Sequence, residues 1–220
     1  MAQKTLRFAV ILAGCGNKDG AEIHESVLTL LAIDKAGHTY QCFAPDVPQQ
    51  RVLNFLTNEE LPEKRNVLVE SARIARSKIK PLSAFNEKDF DVLVMPGGFG
   101  VAYNLCSFAT DGANMSVNPD VARAVTSVHA AQKPIGALCI APVILSKLLG
   151  GVEITLGHDE KVNALCQQMG AKTVNADACS IVVDKKNKVV TTPCYMLSDA
   201  RISELAEGIE KLISTITTMV

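Results

Sequence analysis

Pro134-Ile135-Gly136-Ala137-Leu138-Cys139-Ile140-Ala141-Pro142 is the stretch that organises this chain. Its apolar first half is typical of a strand buried on both faces, and a helical pattern follows directly. Such a sharp turn strains the backbone of its central residue and presents that side chain above the sheet edge, beside the amide donors of a helix N-terminus. Those donors and the helix dipole favour a thiolate, so Cys139 is the predicted nucleophile. Taken alone, a cysteine at a strand end is more often a packing residue.

Strands and helices alternate on both sides of this elbow. The alternation predicts an α/β domain with right-handed crossovers and a mostly parallel sheet. A late hairpin is expected at 180–184 and 188–192, and Ser198 is the expected N-cap of a last helix at 198–214. No stretch resembles a linker, so residues 1–220 are interpreted as one domain, with 45–62 as a loop-rich insertion. The other predicted strands are 6–13, 39–44, 91–95, 134–138 and 153–156, and the other predicted helices are 21–36, 66–76, 119–132, 141–149 and 159–169.

The composition narrows the classes of function. Of 220 residues, 48% are hydrophobic and 20% are charged, with 22 basic against 23 acidic residues. Binding to nucleic acid or to an anionic membrane usually needs clustered Lys and Arg, so neither partner is expected. No apolar run has the length of a membrane span, and no signal-peptide pattern is visible. The seven cysteines include no Cys-x-x-Cys pair, which predicts free thiols in a reducing cytoplasm.

Two further motifs accompany the elbow. Pro96-Gly97-Gly98 ends a predicted strand, and Gly20-Ala21-Glu22-Ile23-His24-Glu25 opens the first helix. Pro-Gly-Gly alone would indicate only a tight turn. With the elbow, the two motifs resemble the PfpI-like superfamily of class I glutamine amidotransferase-like proteins, which includes proteases, deglycase-like and glyoxalase-like members. That resemblance implies an oxyanion hole made by the backbone N–H groups of Gly98 and Ile140.

The same resemblance assigns the acidic residues of the first helix. It implies that Glu25 hydrogen-bonds the sulfur of Cys139 and acts as proton acceptor and donor, if burial raises its pKa. Glu22 lies elsewhere on that turn and favours the helix N-terminus. His24 is interpreted equally well as a surface residue or as a pocket residue.

Over almost its whole length the chain is similar to the ElbB family, named for enhanced lycopene biosynthesis. The matching motifs are 14–16, 22–25, 65–74, 96–100 and 190–197. The resemblance implies a flavodoxin-like three-layer sandwich and a homodimer. It also implies a link to isoprenoid biosynthesis and a glyoxalase activity on small dicarbonyls, with no metal or other cofactor.

The remaining candidate residues have two interpretations each. His158 lies nineteen residues after Cys139, where many superfamily members place a histidine, but its neighbours do not match the usual form. His158 is therefore either a base or the start of a surface helix. Gly157 could equally occupy the position that the superfamily's histidine takes. Cys15 and Cys194 fall at strand ends, where α/β sheets bind ligands, although packing is the simpler interpretation.

Three functions follow from these residues. The first is a glyoxalase in which the Cys139 thiolate attacks glyoxal or methylglyoxal and Glu25, with or without His158, moves the proton. The second is a redox or electrophile sensor, or a binding protein, that uses the same cysteine without turnover. The third is an amidase or peptidase, which would need a general acid for the leaving amine.

Overall fold

The computed structural model describes residues 4–220, which form a seven-stranded sheet, a separate pair of short strands and seven α-helices. The strands are β1 (Arg7–Ile11), β2 (Thr39–Ala44), β3 (Ile79–Pro81), β4 (Val92–Met95), β5 (Ile135–Leu138), β6 (Glu153–Ile154), β7 (Lys172–Thr173), β8 (Val182–Asp184) and β9 (Val189–Thr192). The helices are α1 (Ile23–Lys35), α2 (Val67–Ile74), α3 (Phe108–Asp111), α4 (Pro119–Ala130), α5 (Pro142–Leu149), α6 (Glu160–Gln168) and α7 (Ile202–Thr217).

The sheet has the strand order β3-β2-β1-β4-β5-β9-β8, and every neighbouring pair except β8 and β9 is parallel. The chain moves outward in one direction from β1 to β3 and in the other direction from β4 onward. This reversal between β1 and β4 is a topological switch point, and ligands of open α/β sheets bind at the carboxyl ends of the strands there. The two short strands β6 and β7 pair with each other in parallel, outside the large sheet.

Helices cover both faces, which makes the fold a flavodoxin-like three-layer sandwich. Right-handed crossovers that run in opposite directions from a switch point put their helices on opposite faces of the sheet. Helix α1 accordingly packs on α7, while α4 packs on α5. The α/β class and the mostly parallel sheet predicted from the sequence are therefore confirmed.

The core forms because the central strands are apolar on both sides. Four consecutive residues of β1, Phe8 to Ile11, are fully buried, as a central parallel strand requires. At one end of the sheet, Phe43 meets Phe85 and Phe90 edge-on, with ring centroids 5.5 and 5.4 Å away. Each such pair adds roughly 0.5–1.5 kcal/mol beyond the burial of its area. These contacts make a rigid base from which the strand ends project.

Two predictions concern the late part of the chain, a hairpin and the N-cap of the last helix, and only the first agrees with the structure. The predicted hairpin forms between β8 and β9, and Lys188 supplies the left-handed backbone (φ 52°) that a glycine would usually provide. The prediction of Ser198 as an N-cap is wrong. Helix α7 begins only at Ile202, with Arg201 at the N-cap and the Glu204 carboxylate accepting the Arg201 N–H at 2.7 Å. A turn occupies the chain before it, so Ser198 is exposed outside the helix.

The insertion at 45–62 holds no helix or named strand, as expected, and only isolated bridges such as Leu53 to Glu60. Strand β3 was not predicted from the sequence, because its three residues are only half-buried and make a weak pattern. No helix of the described residues is long and apolar enough to cross a lipid bilayer.

Candidate active site

Cys139 sits at the elbow that its sequence predicts. It directly follows β5 and precedes the first turn leading into α5, and its backbone has φ 54°, a conformation that non-glycine residues rarely adopt. Its N–H donates to the carbonyl of Thr192 on the neighbouring strand at 3.0 Å, which holds the strained turn in place. Pro142 opens α5, where a missing N–H costs nothing. The side chain is therefore fixed at the carboxyl edge of the sheet.

Glu25 lies against this cysteine. Its carboxyl group accepts the Gly97 N–H at 2.9 Å and the Tyr195 N–H at 3.2 Å. It is also close enough to Cys139 that its charge adds to the rise in the pKa of the thiol that burial causes. The side chain is completely buried. Helix α1 positions it, and the Glu22 carboxylate caps that helix by accepting the Glu25 N–H at 2.7 Å. Both carboxylates of the predicted motif thus have distinct places, one at the helix N-terminus and one at the sulfur.

The Pro-Gly-Gly turn supplies the second amide donor. The backbone N–H groups of Gly98 and Ile140 lie close enough to the Cys139 sulfur to act against the burial that raises the pKa of its thiol. Gly98 has φ +100°, and a Cβ there would lie 2.3 Å from the backbone nitrogen of Glu22. Glycine is required because two backbones meet at this point. An oxygen bound to a carbon that the sulfur attacks would lie within reach of the same two donors, as an oxyanion hole requires.

The two acidic groups of the site influence each other's protonation. Burial raises the pKa of Glu25 to about 7, and the nearby Glu22 carboxylate adds to that rise. Burial also raises the pKa of the Cys139 thiol, and the charge of Glu25 raises it further, while the amides of Gly98 and Ile140 act in the opposite direction. The amides of the elbow act in the predicted direction, but burial and the charge of Glu25 act against them. A base is therefore needed to take the thiol proton, and Glu25 is the carboxyl group beside it.

A third segment, 193–197, closes the site, although no side-chain pattern in it predicted a role there. After β9, Cys194 is fully buried with φ 46°, and the backbone of Tyr195 donates to Glu25. The Tyr195 hydroxyl lies 3.0 Å from Nδ1 of His24 on the exposed rim, which places His24 at the edge of the site. The stretch 190–197 was visible only as a family motif, because backbone donors carry no side-chain signature.

His158 is not brought to this cluster. Its side chain is 52% exposed, and among the described residues its charged neighbour is Asp177, with Nε2 3.7 Å from Oδ1. It makes no hydrogen bond to Cys139 or Glu25. The preceding Gly157 has φ +64° and packs against the side chain of Leu197, so the chain turns outward before His158. A role for His158 as a base would need a rearrangement of this loop.

The reactive centre is enclosed. Cys139 is only 7% exposed and Glu25 is fully buried. A cleft of about 360 Å³ lies elsewhere on the molecule, lined by residues such as Tyr103, Asn104 and Asn118, without Cys139 or Glu25. A centre so enclosed admits a small molecule more readily than a polypeptide segment. Within residues 4–220, no three His, Cys, Asp or Glu side chains are grouped as metal ligands.

A cysteine elbow at the carboxyl edge of a flavodoxin-like sheet, with a glutamate from the first helix and a Gly-Gly amide, defines the PfpI-like class of class I glutamine amidotransferase-like proteins. Solved structures agree. The chain matches the crystal structure of an isoprenoid biosynthesis protein with amidotransferase-like domain from Ehrlichia chaffeensis at a TM-score of 0.90 and 36% identity, over 98% of this chain and 100% of that one. Glyoxalase III of Candida albicans matches at a TM-score of 0.61 and 15% identity, over 95% and 96% of the two chains, which shows a shared fold.

The sequences of curated relatives assign the chain to a family within this class. The human glutamine amidotransferase-like class 1 domain-containing protein 3, mitochondrial, is 42% identical over 217 residues, covering 94% of this chain and 81% of the relative. The chain belongs to this family of ElbB and ES1 proteins. No protein-family model matches the chain. Because that relative is mitochondrial by name, the cytoplasmic location expected from the free cysteines stays a prediction.

Proposed function

We propose that this protein is a cofactor-independent glyoxalase that converts glyoxal, and methylglyoxal as a second substrate, to the corresponding hydroxy acid. The observation that carries the proposal is the enclosed pair of Cys139 and Glu25 with two backbone donors at the sulfur. The pair offers a nucleophile, a base of suitable pKa and a site for an oxyanion. The fold shared with the glyoxalase III of Candida albicans is compatible with this chemistry.

The steps use the protein's own groups. The Cys139 sulfur attacks one aldehyde carbon, Glu25 takes the thiol proton, and the Gly98 and Ile140 amides stabilise the resulting alkoxide. Glu25 returns the thiol proton to this alkoxide, which gives a hemithioacetal. It then takes the proton from the hemithioacetal carbon and delivers it to the other carbon through an enediol, so that one carbon is oxidised to a thioester while the other is reduced to an alcohol. Water cleaves the thioester and restores the thiol. One water is consumed, and no external oxidant or reductant is needed.

The enclosure of Cys139 favours this reaction over the amidase or peptidase alternative. A peptide needs an open groove on both sides of the nucleophile, and departure of its amine needs a general acid. His158, the candidate for that acid, is exposed and faces Asp177. The Ehrlichia chaffeensis relative is described as an isoprenoid biosynthesis protein, and we extend that link to this chain as part of the proposal.

The test is product formation from glyoxal and methylglyoxal, followed by NMR for glycolate and lactate, without added glutathione or metal. Wild type is expected to form product and Cys139→Ala to form none. His158→Ala is the matched comparison, and we expect it to retain activity within about threefold, since a participating base contributes at least about a hundredfold. Full turnover by Cys139→Ala would contradict the proposal, and loss of turnover in His158→Ala would restore that histidine as a base.

The homodimer implied by the family resemblance is also proposed for this chain. Three apolar side chains of α1, spaced four residues apart, remain about half exposed: Ile23 at 44%, Val27 at 48% and Leu31 at 47%. They form one stripe on the helix that carries Glu25. A two-fold axis across this stripe would bury it against its own copy in a second chain, as isologous interfaces do.

We therefore expect light scattering to give twice the 23.5 kDa chain mass for wild type. Val27→Lys places a charge in the centre of the stripe and should give a monomer. Val69→Lys is the control, because Val69 is equally apolar and exposed but lies on α2. A wild-type monomer, or a dimer unaffected by Val27→Lys, would contradict this interface.

A further inference from the structure

A second buried thiol, Cys194, has no part in the proposed turnover, yet it lies beside the nucleophile. We propose that Cys139 and Cys194 form a reversible disulfide when the site meets a peroxide, with Cys194 as the resolving thiol. This goes beyond the turnover of dicarbonyls and requires only that Cys139 is reactive. Both thiols are free in the structure, which therefore shows the reduced site.

The strand register brings the two cysteines together. Strands β5 and β9 are parallel, with Leu138 opposite Thr192, and the hydrogen bond from the Cys139 N–H to the Thr192 carbonyl continues this pairing. Cys194 comes one position past the residue opposite Cys139. Beyond Thr192 the chain leaves the strand, with Pro193 in the helical region and Cys194 at φ 46°, and the Tyr195 N–H returns to Glu25 at 3.2 Å, so Cys194 lies between two residues that contact the elbow. Disulfides join Cα atoms about 4.4–6.8 Å apart, and the proposal requires the two turns to meet that range.

The two side chains also share a neighbour. The Glu25 carboxyl group lies beside the Cys139 side chain and accepts the N–H of Tyr195, the residue after Cys194, at 3.2 Å. Each cysteine has a left-handed backbone, φ 54° and 46°, so the chain turns sharply at both positions on the same edge of the sheet. Burial raises the pKa of the Cys194 thiol, and the nearby charges of Glu25 and Cys139 raise it further, so the three groups form one cluster.

The environments assign different roles to the two thiols. Cys139 is the more accessible of the two, 7% exposed against 0% for Cys194, and the amides of Gly98 and Ile140 act against the burial that raises the pKa of its thiol, so its sulfur is the one that meets peroxide. Cys194 is fully buried, and burial raises the pKa of its thiol. Cys194 is thus placed to react second, with the Cys139 sulfur that the peroxide has already oxidised.

The chemistry balances in two steps. Cys139 attacks the peroxide, the O–O bond breaks, and hydrogen peroxide leaves a sulfenic acid and one water. The Cys194 thiol, with Glu25 as proton acceptor, then attacks the Cys139 sulfur, and the sulfenic hydroxyl leaves as a second water once Glu25 returns the proton. The sulfurs lose two electrons in total, which reduce the peroxide. A dithiol reductant reverses the bond, whereas further oxidation of Cys139 to sulfinic acid would be irreversible.

The test treats reduced protein with two equivalents of hydrogen peroxide, blocks free thiols with N-ethylmaleimide under denaturing conditions, and maps peptides by mass spectrometry. Wild type should lose two hydrogens, show a Cys139–Cys194 linked peptide and keep the other five of its seven cysteines alkylated. Dithiothreitol should restore both thiols. In Cys194→Ala, Cys139 should instead gain two oxygens, with about tenfold more sulfinate than in wild type.

Two comparisons make the result decisive. Cys42→Ala removes a buried thiol from β2, remote from the elbow, and should behave as wild type. Cys194→Ser keeps the size of the side chain and should reproduce Cys194→Ala if loss of the resolving thiol, rather than a packing defect, is the cause. Sulfinate on wild-type Cys139 at the rate of Cys194→Ala, or a disulfide to a different cysteine, would overturn the proposal. None of these readouts depends on dicarbonyl turnover.

Discussion

Replacing Glu25 by Gln is expected to remove about 2–3 kcal/mol of pH dependence from the free energy of unfolding between pH 5 and pH 8. In the folded protein burial raises the pKa of Glu25 from 4.5 to about 7. Between these two values the folded chain keeps a proton that the unfolded chain releases, so raising the pH favours unfolding. The stabilisation is fully present below pH 4.5 and is lost as the pH rises through 7. Each pKa unit corresponds to about 1.4 kcal/mol.

The measurement is urea unfolding of wild type and Glu25→Gln at several pH values, compared as the change of each protein with pH. Absolute stabilities are less informative, because the Gln amide group would face the N–H of Gly97 or Tyr195 with a donor of its own. Glu59→Gln is the control, since it removes the same charge from an exposed loop and should follow wild type. Parallel curves for wild type and Glu25→Gln would show that Glu25 does not titrate with a raised pKa.

The same variant tests the role of Glu25 in chemistry. If Glu25 takes the thiol proton, the rate at which iodoacetamide alkylates Cys139 should increase with pH through about 7 in wild type. In Glu25→Gln this step should disappear, and glyoxal turnover should fall by roughly 10²–10⁴-fold. A variant that loses the pH dependence of stability but keeps turnover would separate the two roles. The proton acceptor would then have to be another group.

One local signal and a family resemblance account for the parts of the site that the sequence predicted. Cys139 was found because a buried strand runs directly into a helix, and the structure shows the strained φ that such an elbow demands. Gly98 was found through the family resemblance, because Pro-Gly-Gly alone would indicate only a tight turn. Glu25 was found by family resemblance alone, since three polar residues share its helical turn and only packing decides which of them faces the sulfur.

The parts that the sequence did not predict depend on contacts between distant segments. Tyr195 contributes a backbone N–H, and the proximity of Cys194 to Cys139 follows from the register of β9 beside β5. His158 was misleading because its distance from Cys139 along the chain suited a base, whereas the packing of Gly157 turns it outward. Ser198 has a good capping side chain, but tertiary packing delays the helix until Ile202.

Gly98→Ala is expected to destabilise the protein by about 3–5 kcal/mol and to disable the nucleophile. The new Cβ would lie 2.3 Å from the nitrogen of Glu22 and 2.5 Å from the carbonyl oxygen of Gly20, and both are backbone atoms that no side-chain rotation can move. A φ of +100° adds strain for any residue with a Cβ. Overpacking and backbone strain each cost roughly 1–3 kcal/mol. For a chain of this length, Tm should fall by about 10 °C or more.

Gly150→Ala separates the two costs. Gly150 also has positive φ, +56°, but a Cβ there meets nothing within 4 Å, so this variant should lose only about 1 kcal/mol from backbone strain. Thermal unfolding of both variants, together with the rate of Cys139 alkylation, checks the prediction. Because the Gly98 amide acts on the pKa of the Cys139 thiol, displacement of its turn in Gly98→Ala should change the reactivity of Cys139, and Gly150→Ala should leave that reactivity unchanged. Equal losses of stability in the two variants would mean that the Pro-Gly-Gly turn shifts at little energetic cost. The close contact between its backbone and that of the α1 N-terminus would then not be what positions the oxyanion donor.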